Sequence, residues 1–203
     1  MKKFNGYEDA KKQAQAAGGP KLPAGAYVCK VLAVKYESGE DGNSDRIAVQ
    51  FDIAEGEQKD FFKKQYEGNT NEDKKWKGSV RLYVPTDDGS KEDAWTKRSF
   101  AGWTDSFEKS NPGYSWDWDE SKWKNKLVGI VFGTTGTVIN GRSVTYTEPR
   151  FAVEIAKIRD GSAPEAKFKA KNGYTATGSA PAPKEDADGF LQVPENVEEE
   201  IPF

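Results

Sequence analysis

Alternating apolar and polar positions predict most of the β-strands in this sequence. The clearest alternation covers residues 46–54, where Ile47, Val49, Phe51 and Ile53 are separated by polar or small residues that include Arg46. A period of two places successive side chains on opposite faces, so the pattern predicts a half-buried strand. Similar reasoning predicts strands at 27–36, 60–66, 79–84, 127–132 and a closing strand containing Phe151, Val153 and Ile155.

A β-hairpin is predicted near the end of the apolar part of the chain. Asn140-Gly141 separates two β-rich arms, 134–139 and 142–147. Both turn residues tolerate positive φ, which a type I′ turn requires.

A helical pattern interrupts the strands between the third or fourth strand and the hairpin. Ser90, with Asp93 three residues later, is typical of a capping pair that begins a helix. The side chains that recur at helical spacing are Phe100, Trp103 and Phe107, and Asn111-Pro112-Gly113 ends the pattern. We therefore expect a helical insertion at about 91–125, with Trp95 and these three aromatic residues in the core. Core and surface positions are equally expected for Trp116, Trp118 and Trp123.

The composition divides the chain into three regions. Residues 1–20 have weak helical character and predict an N-terminal arm or a short helix. Residues 21–160 hold five or six strands and the helical insertion, which favours a mainly β, OB-like Greek-key barrel. From 161 to 203 the apolar content falls sharply, so we expect a flexible linker and a disordered acidic C-terminal tail.

The charge is distributed unevenly along the 203 residues. The formal net charge is −3, while the last 20 residues hold one lysine and seven acids, a net charge of −6, which leaves +3 for residues 1–183. A mildly basic body with an acidic terminus suits a nucleic-acid-binding protein.

The residue inventory argues against catalysis. The chain has no histidine, and its only cysteine, Cys29, cannot form a tetrahedral zinc site alone. For Asp117, Asp119 and Glu120 a metal-binding carboxylate cluster is the alternative, but acids at alternate positions beside a helix start are more often surface and capping residues. We expect no catalytic residue, metal or cofactor, a buried Cys29 in a reducing cytoplasm, and, since no run of ten apolar residues occurs, no membrane span.

The C-terminus carries the most distinctive motif. Three acids precede an apolar end, in the order Glu198, Glu199, Glu200, Ile201, Pro202 and Phe203. Such a segment is suited to inserting one ring into a partner's pocket while the acids meet a basic rim. It resembles the tail of bacterial and bacteriophage single-stranded DNA-binding proteins. The body is similar to phage members of that family through Lys-Trp-Lys-Gly at 75–78 and through the segment 126–156.

The resemblance implies a function and an assembly. In that family an OB-fold binds single-stranded DNA without sequence preference, and the tail recruits enzymes of replication, recombination and repair. It further implies a homo-oligomer, a dimer or a tetramer, in the cytoplasm of a bacterial host.

Candidate DNA-binding residues are the aromatic and basic side chains on exposed sheet faces, because bases stack on rings while cations follow the phosphates. The alternation in 79–84 places Arg81 and Tyr83 opposite the apolar set, and 76–77 suits a mobile arm. The full candidate set is Arg46, Phe62, Lys63, Lys64, Tyr66, Trp76, Lys77, Arg81 and Tyr83. An oligosaccharide-binding β-barrel and a protein-adaptor module are the alternatives. The first predicts binding that is insensitive to salt, and the second predicts no quenching of the six tryptophans by oligo-dT.

Overall fold

A computed structural model describes residues 6–7, 20–39 and 44–175. The described part is mainly β, with six strands in one mixed sheet and a few helices. The strands are β1 (Gly25–Glu37), β2 (Arg46–Ile53), β3 (Ser79–Tyr83), β4 (Leu127–Ile139), β5 (Arg142–Val153) and β6 (Lys169–Ala170). The helices are α1 (Phe61–Glu67), α2 (Lys91–Ser110), the 3₁₀ turn Glu120–Trp123 and α3 (Ile155–Arg159).

The sheet has the strand order β3-β2-β1-β4-β5, in which every neighbouring pair is antiparallel. The short β6 adds a parallel pairing to β4. Among the described strands no ladder joins β3 to β5, so the sheet is open between its two ends. Helix α2 contacts both of these strands and lies across the gap.

The main core lies between the inner face of the sheet and the helices. Phe51, Phe132 and Val49 from the strands pack with Trp103 and Phe107 from α2. Trp123 of the 3₁₀ turn is fully buried and stacks on Phe107 with ring centroids 4.4 Å apart. Burial of each large apolar side chain stabilises the fold by about 1.5–3 kcal/mol.

Several predicted elements are confirmed. The first, second and fourth predicted strands and the hairpin correspond to β1, β2, β3 and the junction of β4 with β5. Asn140 and Gly141 have φ values of 51° and 73°, as a type I′ turn requires. The side chain of Ser90 accepts a hydrogen bond from the backbone N–H of Asp93 at 3.0 Å, which caps α2 as expected.

The strand predicted at 60–66 is wrong, because this segment forms α1. The carboxylate of Asp52 in β2 is the cause. It accepts hydrogen bonds from the backbone N–H groups of Phe62 and Lys63, both at 3.0 Å. These are first-turn donors that have no partner within the helix, so a buried acid ten residues earlier fixes a helix there.

The end of the described chain also differs from expectation. Strand β5 runs to Val153 and α3 follows, so the predicted closing strand ends before Ile155. Residues 161–175, expected to begin the flexible linker, instead contact β4 through β6 and through the rings of Phe168 and Tyr174. Residues 1–5, 8–19, 40–43 and 176–203 lie outside the described residues, and with them most of the predicted arm and the whole acidic tail.

Candidate nucleic-acid interface

The outer side of strands β1, β2 and β3 forms an exposed, cation-rich surface. Register places directly opposed residues on the same side of an antiparallel ladder. Three cross-strand rows result: Glu37, Arg46 and Tyr83; Lys35, Ala48 and Arg81; Ala33, Gln50 and Ser79. We call this surface the open face.

A β-bulge in β1 determines which of its side chains reach the open face. Val31 pairs with Phe51 and Ala33 pairs with Gln50, so Leu32 is an extra residue. The bulge resets the alternation of the strand. Lys30 and Lys35, which an unbroken alternation would place on opposite faces, therefore lie on the same side.

The open face carries more positive than negative charge. The open face holds three cations, Lys35, Arg46 and Arg81, and one carboxylate, Glu37. The Nε of Arg81 donates to Glu37 at 3.2 Å, but the Arg81 side chain is 59% exposed. An exposed pair of this kind contributes little stability. The guanidinium of Arg81 can therefore exchange this partner for a phosphate at small cost.

Tyr83 supplies an aromatic surface among these cations. It is 51% exposed, and the guanidinium carbon of Arg46 lies 5.9 Å from its ring centroid. The contact holds a cation beside the ring while half of the ring surface remains accessible. This combination of ring and cation is what base stacking next to a phosphate requires.

A hydrogen-bond network joins the end of β1 to the start of β2 at the edge of the open face. The hydroxyl of Tyr36 donates to the Asp45 carboxylate, which also accepts from the N–H of Gly39 at 2.8 Å. The hydrogen bond to Asp45 raises the pKa of Tyr36 and lowers that of Asp45. The tyrosine stays neutral and the acid stays ionised at neutral pH, so Asp45 is already occupied by two donors.

A cleft extends the open face over the free edge of β3 towards α2. Tyr83 and Trp95 line an exposed cleft of about 450 Å³ with Lys91, Glu92 and Thr96. They also line a narrower cleft of about 170 Å³, which is enclosed by β3, α2 and Pro149 and Arg150 of β5. The two rings therefore flank one continuous depression.

The expectation that Trp95 lies in the core is wrong, because it is 64% exposed. Phe100, Trp103 and Phe107 are buried as predicted. Trp95 precedes Phe100 by five residues, a rotation of about 500° that places the two side chains roughly 140° apart around the helix. Helical geometry alone was the signal that could have identified this exposed ring.

The candidates around α1 differ from those on β3. Phe62 was expected on an exposed stripe, but it is 7% exposed and packs against Phe51 and Phe132 in the core. That prediction is wrong because α1 turns both of its phenylalanines inward. Lys63 and Lys64 are exposed, as is Lys77.

Trp76 is not presented on a mobile arm. It is half-buried, and its indole N–H donates to the carbonyl oxygens of Phe51 and Gly78 at 3.1 and 3.0 Å. Tyr66 lies beside it with ring centroids 5.9 Å apart, and the Lys74 ammonium lies 4.7 Å from the Tyr66 ring. These contacts attach the segment to β2 and α1.

The candidate residues fall into two groups rather than one. Arg46, Arg81 and Tyr83 lie at one end of the β2–β3 pair, whereas α1 is attached at Asp52, six residues further along β2. At about 3.3 Å per residue, Arg46 and Asp52 are roughly 20 Å apart along β2. Among the candidates, only the first group combines an exposed ring with cations on one sheet face.

The described residues contain no group of three histidine, cysteine or acidic side chains that could hold a metal ion. Asp117 and Asp119 both lie near the Lys122 ammonium, with the Asp119 distance at 3.9 Å. Cys29 is buried, and burial, followed by the nearby Asp52 charge, raises the pKa of its thiol well above the ordinary value. Among the described helices none combines the length and apolar character that a bilayer crossing requires.

No protein-family model matches the chain, and no curated protein shows a significant match to it. The fold and the open face together define a mainly β protein that offers one cationic and aromatic surface. The tail residues Glu198–Phe203 lie outside the described residues, so the resemblance that rests on them stays a prediction.

Proposed function

We propose that this protein binds single-stranded DNA without sequence preference through the open face and the adjoining cleft. The observation that carries the proposal is the placement of Lys35, Arg46, Arg81 and Tyr83 on one exposed side of three strands. Exposed rings offer a surface to every type of base, and the cations follow the phosphates. Trp95 at the edge of β3 adds a second ring to the same site.

We further propose that the sheet is an OB-type barrel left partly open. A five-stranded Greek key of this type binds oligonucleotides on its second and third strands. The strand order β3-β2-β1-β4-β5 and the helix between β3 and β4 support this interpretation. Helix α2 then occupies the gap that separates β3 from β5.

The role we propose is in phage DNA replication and recombination in the bacterial cytoplasm. The acidic terminus with its final Ile201, Pro202 and Phe203 supports a second activity, the recruitment of partner enzymes. On this proposal the protein is not an enzyme, needs no cofactor, and acts as a dimer or a tetramer.

A titration of the intrinsic tryptophan fluorescence with oligo-dT tests the DNA-binding proposal. Trp95 lies on the binding surface, so we expect quenching on binding. The affinity should fall steeply with salt, with a slope of about −0.7 in log K against log salt for each phosphate neutralised. A flat salt response would contradict the proposal.

The exposed rings of Tyr83 and Trp95 beside a cleft also suit an oligosaccharide, because sugars stack on aromatic side chains. Neutral sugar binding releases no counterions, so its affinity should be insensitive to salt. A parallel titration with neutral oligosaccharides at two salt concentrations separates the two candidates.

Deletion of residues 198–203 tests the recruitment proposal separately. The truncated protein should retain or increase its affinity for oligo-dT, since the open face is intact and the seven acids of the last 20 residues are reduced to four. It should lose the capture of replication and recombination enzymes. Unchanged recruitment after truncation would refute the role of the tail.

A further inference from the structure

Trp118 is exposed to solvent to an unusual degree for an indole. The residue is 78% exposed, the highest value among the large hydrophobic residues of the described chain. Its backbone has φ 67°, a left-handed conformation that is unusual for a bulky residue. A disfavoured backbone conformation costs free energy and persists only where the surrounding structure imposes it. The exposed position of the Trp118 ring is therefore set by its contacts.

Aromatic packing supports one side of this ring. The rings of Trp118 and Phe100 are nearly parallel, at 12°, with centroids 6.4 Å apart. Trp116 contacts both of them, at 5.9 Å from Phe100 and 6.0 Å from Trp118. Phe100 is buried in α2, so it anchors Trp118 from beneath. The high exposure means that most of the remaining ring surface meets solvent.

The anchor also connects Trp118 to the cleft. Phe100 lines the narrower cleft together with Tyr83 and Trp95. Trp95 lies five residues before Phe100, about 7.5 Å along the helix axis. Trp118 therefore contacts a residue that lines the cleft. The exposed rings of Tyr83, Trp95 and Trp118 form a series that leads from the open face across α2.

The charges around Trp118 neither attract nor repel phosphate strongly. Residues 117–126 hold three acids and three lysines. Two of the acids, Asp117 and Asp119, lie near the Lys122 ammonium. A contact at Trp118 would therefore depend on stacking, and the phosphate contacts would come from the open face.

We propose that Trp118 stacks a further base of the same single strand after the strand has left the open face and crossed α2. This inference rests on the proposed DNA-binding function. Stacking on a neutral segment releases no counterions, so the contribution of Trp118 to affinity is independent of salt. Trp118 also contributes only to the binding of DNA that is long enough to cross α2.

The test measures the binding of labelled oligo-dT of about 5 and about 20 nucleotides by fluorescence anisotropy, lengths chosen around the site sizes that OB-folds cover. Trp118→Ala should weaken binding of the long strand by roughly 5- to 150-fold, the usual effect of losing one stacked base. Its salt slope should equal that of the wild type, and its binding of the short strand should be unchanged. Trp118→Phe should restore most of the loss, and Trp95→Ala should weaken both lengths.

The remaining outcomes overturn the inference in different ways. If Trp118→Ala binds each oligonucleotide with the same affinity as the wild type, the inference is refuted and the proposed function stays intact. A change in sedimentation with no change in DNA binding would assign the ring to a protein interface instead. A wild-type protein that binds neither oligonucleotide would refute the proposed function and the inference together.

Discussion

The two ends of strand β1 meet different surroundings on the outer side of the sheet. Near its start, Val28 is buried together with Val131 and Val153, and these residues lie outside the main core cluster. They form a second apolar layer beneath α3 and the segment that follows it. Beyond the bulge, Lys35 lies exposed on the open face. One strand thus contributes to a covered half and an open half of the sheet.

The covered half depends on close approach by the chain after β5. A Cβ at Gly129 would lie 2.7 Å from the Ile158 side chain, and one at Gly133, on the same face of β4, would lie 2.8 Å from the Ala166 side chain. Missing side chains on β4 therefore make room for α3 and for residues 161–175. Glycines thus mark the surface that this protein covers itself, whereas cations and an aromatic ring mark the surface that stays exposed.

The largest expected effect follows from filling the covered half. Gly129→Val places a Cβ 2.6 Å from the Val153 carbonyl oxygen. We expect the free energy of unfolding to fall by about 3 kcal/mol, since neither the backbone nor α3 can move away freely. Chemical denaturation measures this change.

Gly102→Ala is the matched control. Gly102 lies in α2, and a Cβ added there would meet no atom within 4 Å. We expect a gain of about 0.5–1 kcal/mol from helix propensity. An unchanged unfolding midpoint for Gly129→Val would contradict the close packing of the covered half.

Substitutions on the open half should change DNA affinity rather than the stability of the fold. Tyr83→Ala removes a half-exposed ring, so oligo-dT affinity should fall by about 1–3 kcal/mol while the unfolding midpoint stays nearly constant. Tyr146→Ala removes an exposed ring from β5 and should leave affinity unchanged. Equal losses of oligo-dT affinity in both variants would show that the DNA does not bind the open face in preference to β5.

The salt dependence gives a finer distinction between the halves. Arg81→Gln should reduce the slope of log K against log salt by about 0.7, the value for one phosphate contact on a single strand. Arg159→Gln is the control, because Arg159, the last residue of α3, lies on the covered half and pairs with Glu55 at 2.6 Å. Binding measured at four salt concentrations should show no change of slope for this control.

The smallest expected effect concerns the attachment of residues 161–175. Burial opposes ionisation of Glu148, but hydrogen bonds from Thr135 and Lys171 outweigh it and lower the pKa of the carboxyl. A lowered pKa in the folded state stabilises the protein above the unfolded value of about 4.3, and this stabilisation is lost as pH falls through the folded value.

Glu148→Gln should therefore destabilise the protein by under about 1 kcal/mol at pH 7, because the pairs around Glu148 are partly exposed. The difference from the wild type should shrink towards zero near pH 3 in thermal denaturation. A difference that grows on acidification would show that Glu148 is not held as an ion.

Local patterns in the sequence were sufficient for the parts of the fold that depend on neighbouring residues. The alternation of β2, the Asn140-Gly141 turn and the Ser90 cap are all determined within a few positions. Helix α1 is different, because Asp52 supplies its first-turn acceptors from another element. The short alternation in 60–66 could not reveal that contact.

The candidate site was predictable to the same extent. Alternation in β3 correctly indicated that Arg81 and Tyr83 are exposed, and register places them beside Arg46. Lys35 was not identified, because a bulge in the middle of β1 cannot be read from composition. Phe62 was misplaced because its segment was predicted as a strand. The exposure of Trp95 could have been predicted by projecting the sequence of α2 onto a helix.

The bulge at Leu32 gives this protein one position at which chain length can change without exchanging the two faces of β1. Loss of the Leu32 codon would leave Val31 and Ala33 adjacent in a regular strand, and Lys35 would still point outward. Loss of a codon from the strand on either side of the bulge would instead leave an uncompensated shift of the alternation. Insertions and deletions in related genes should therefore be tolerated at this position and rare along the rest of the strand.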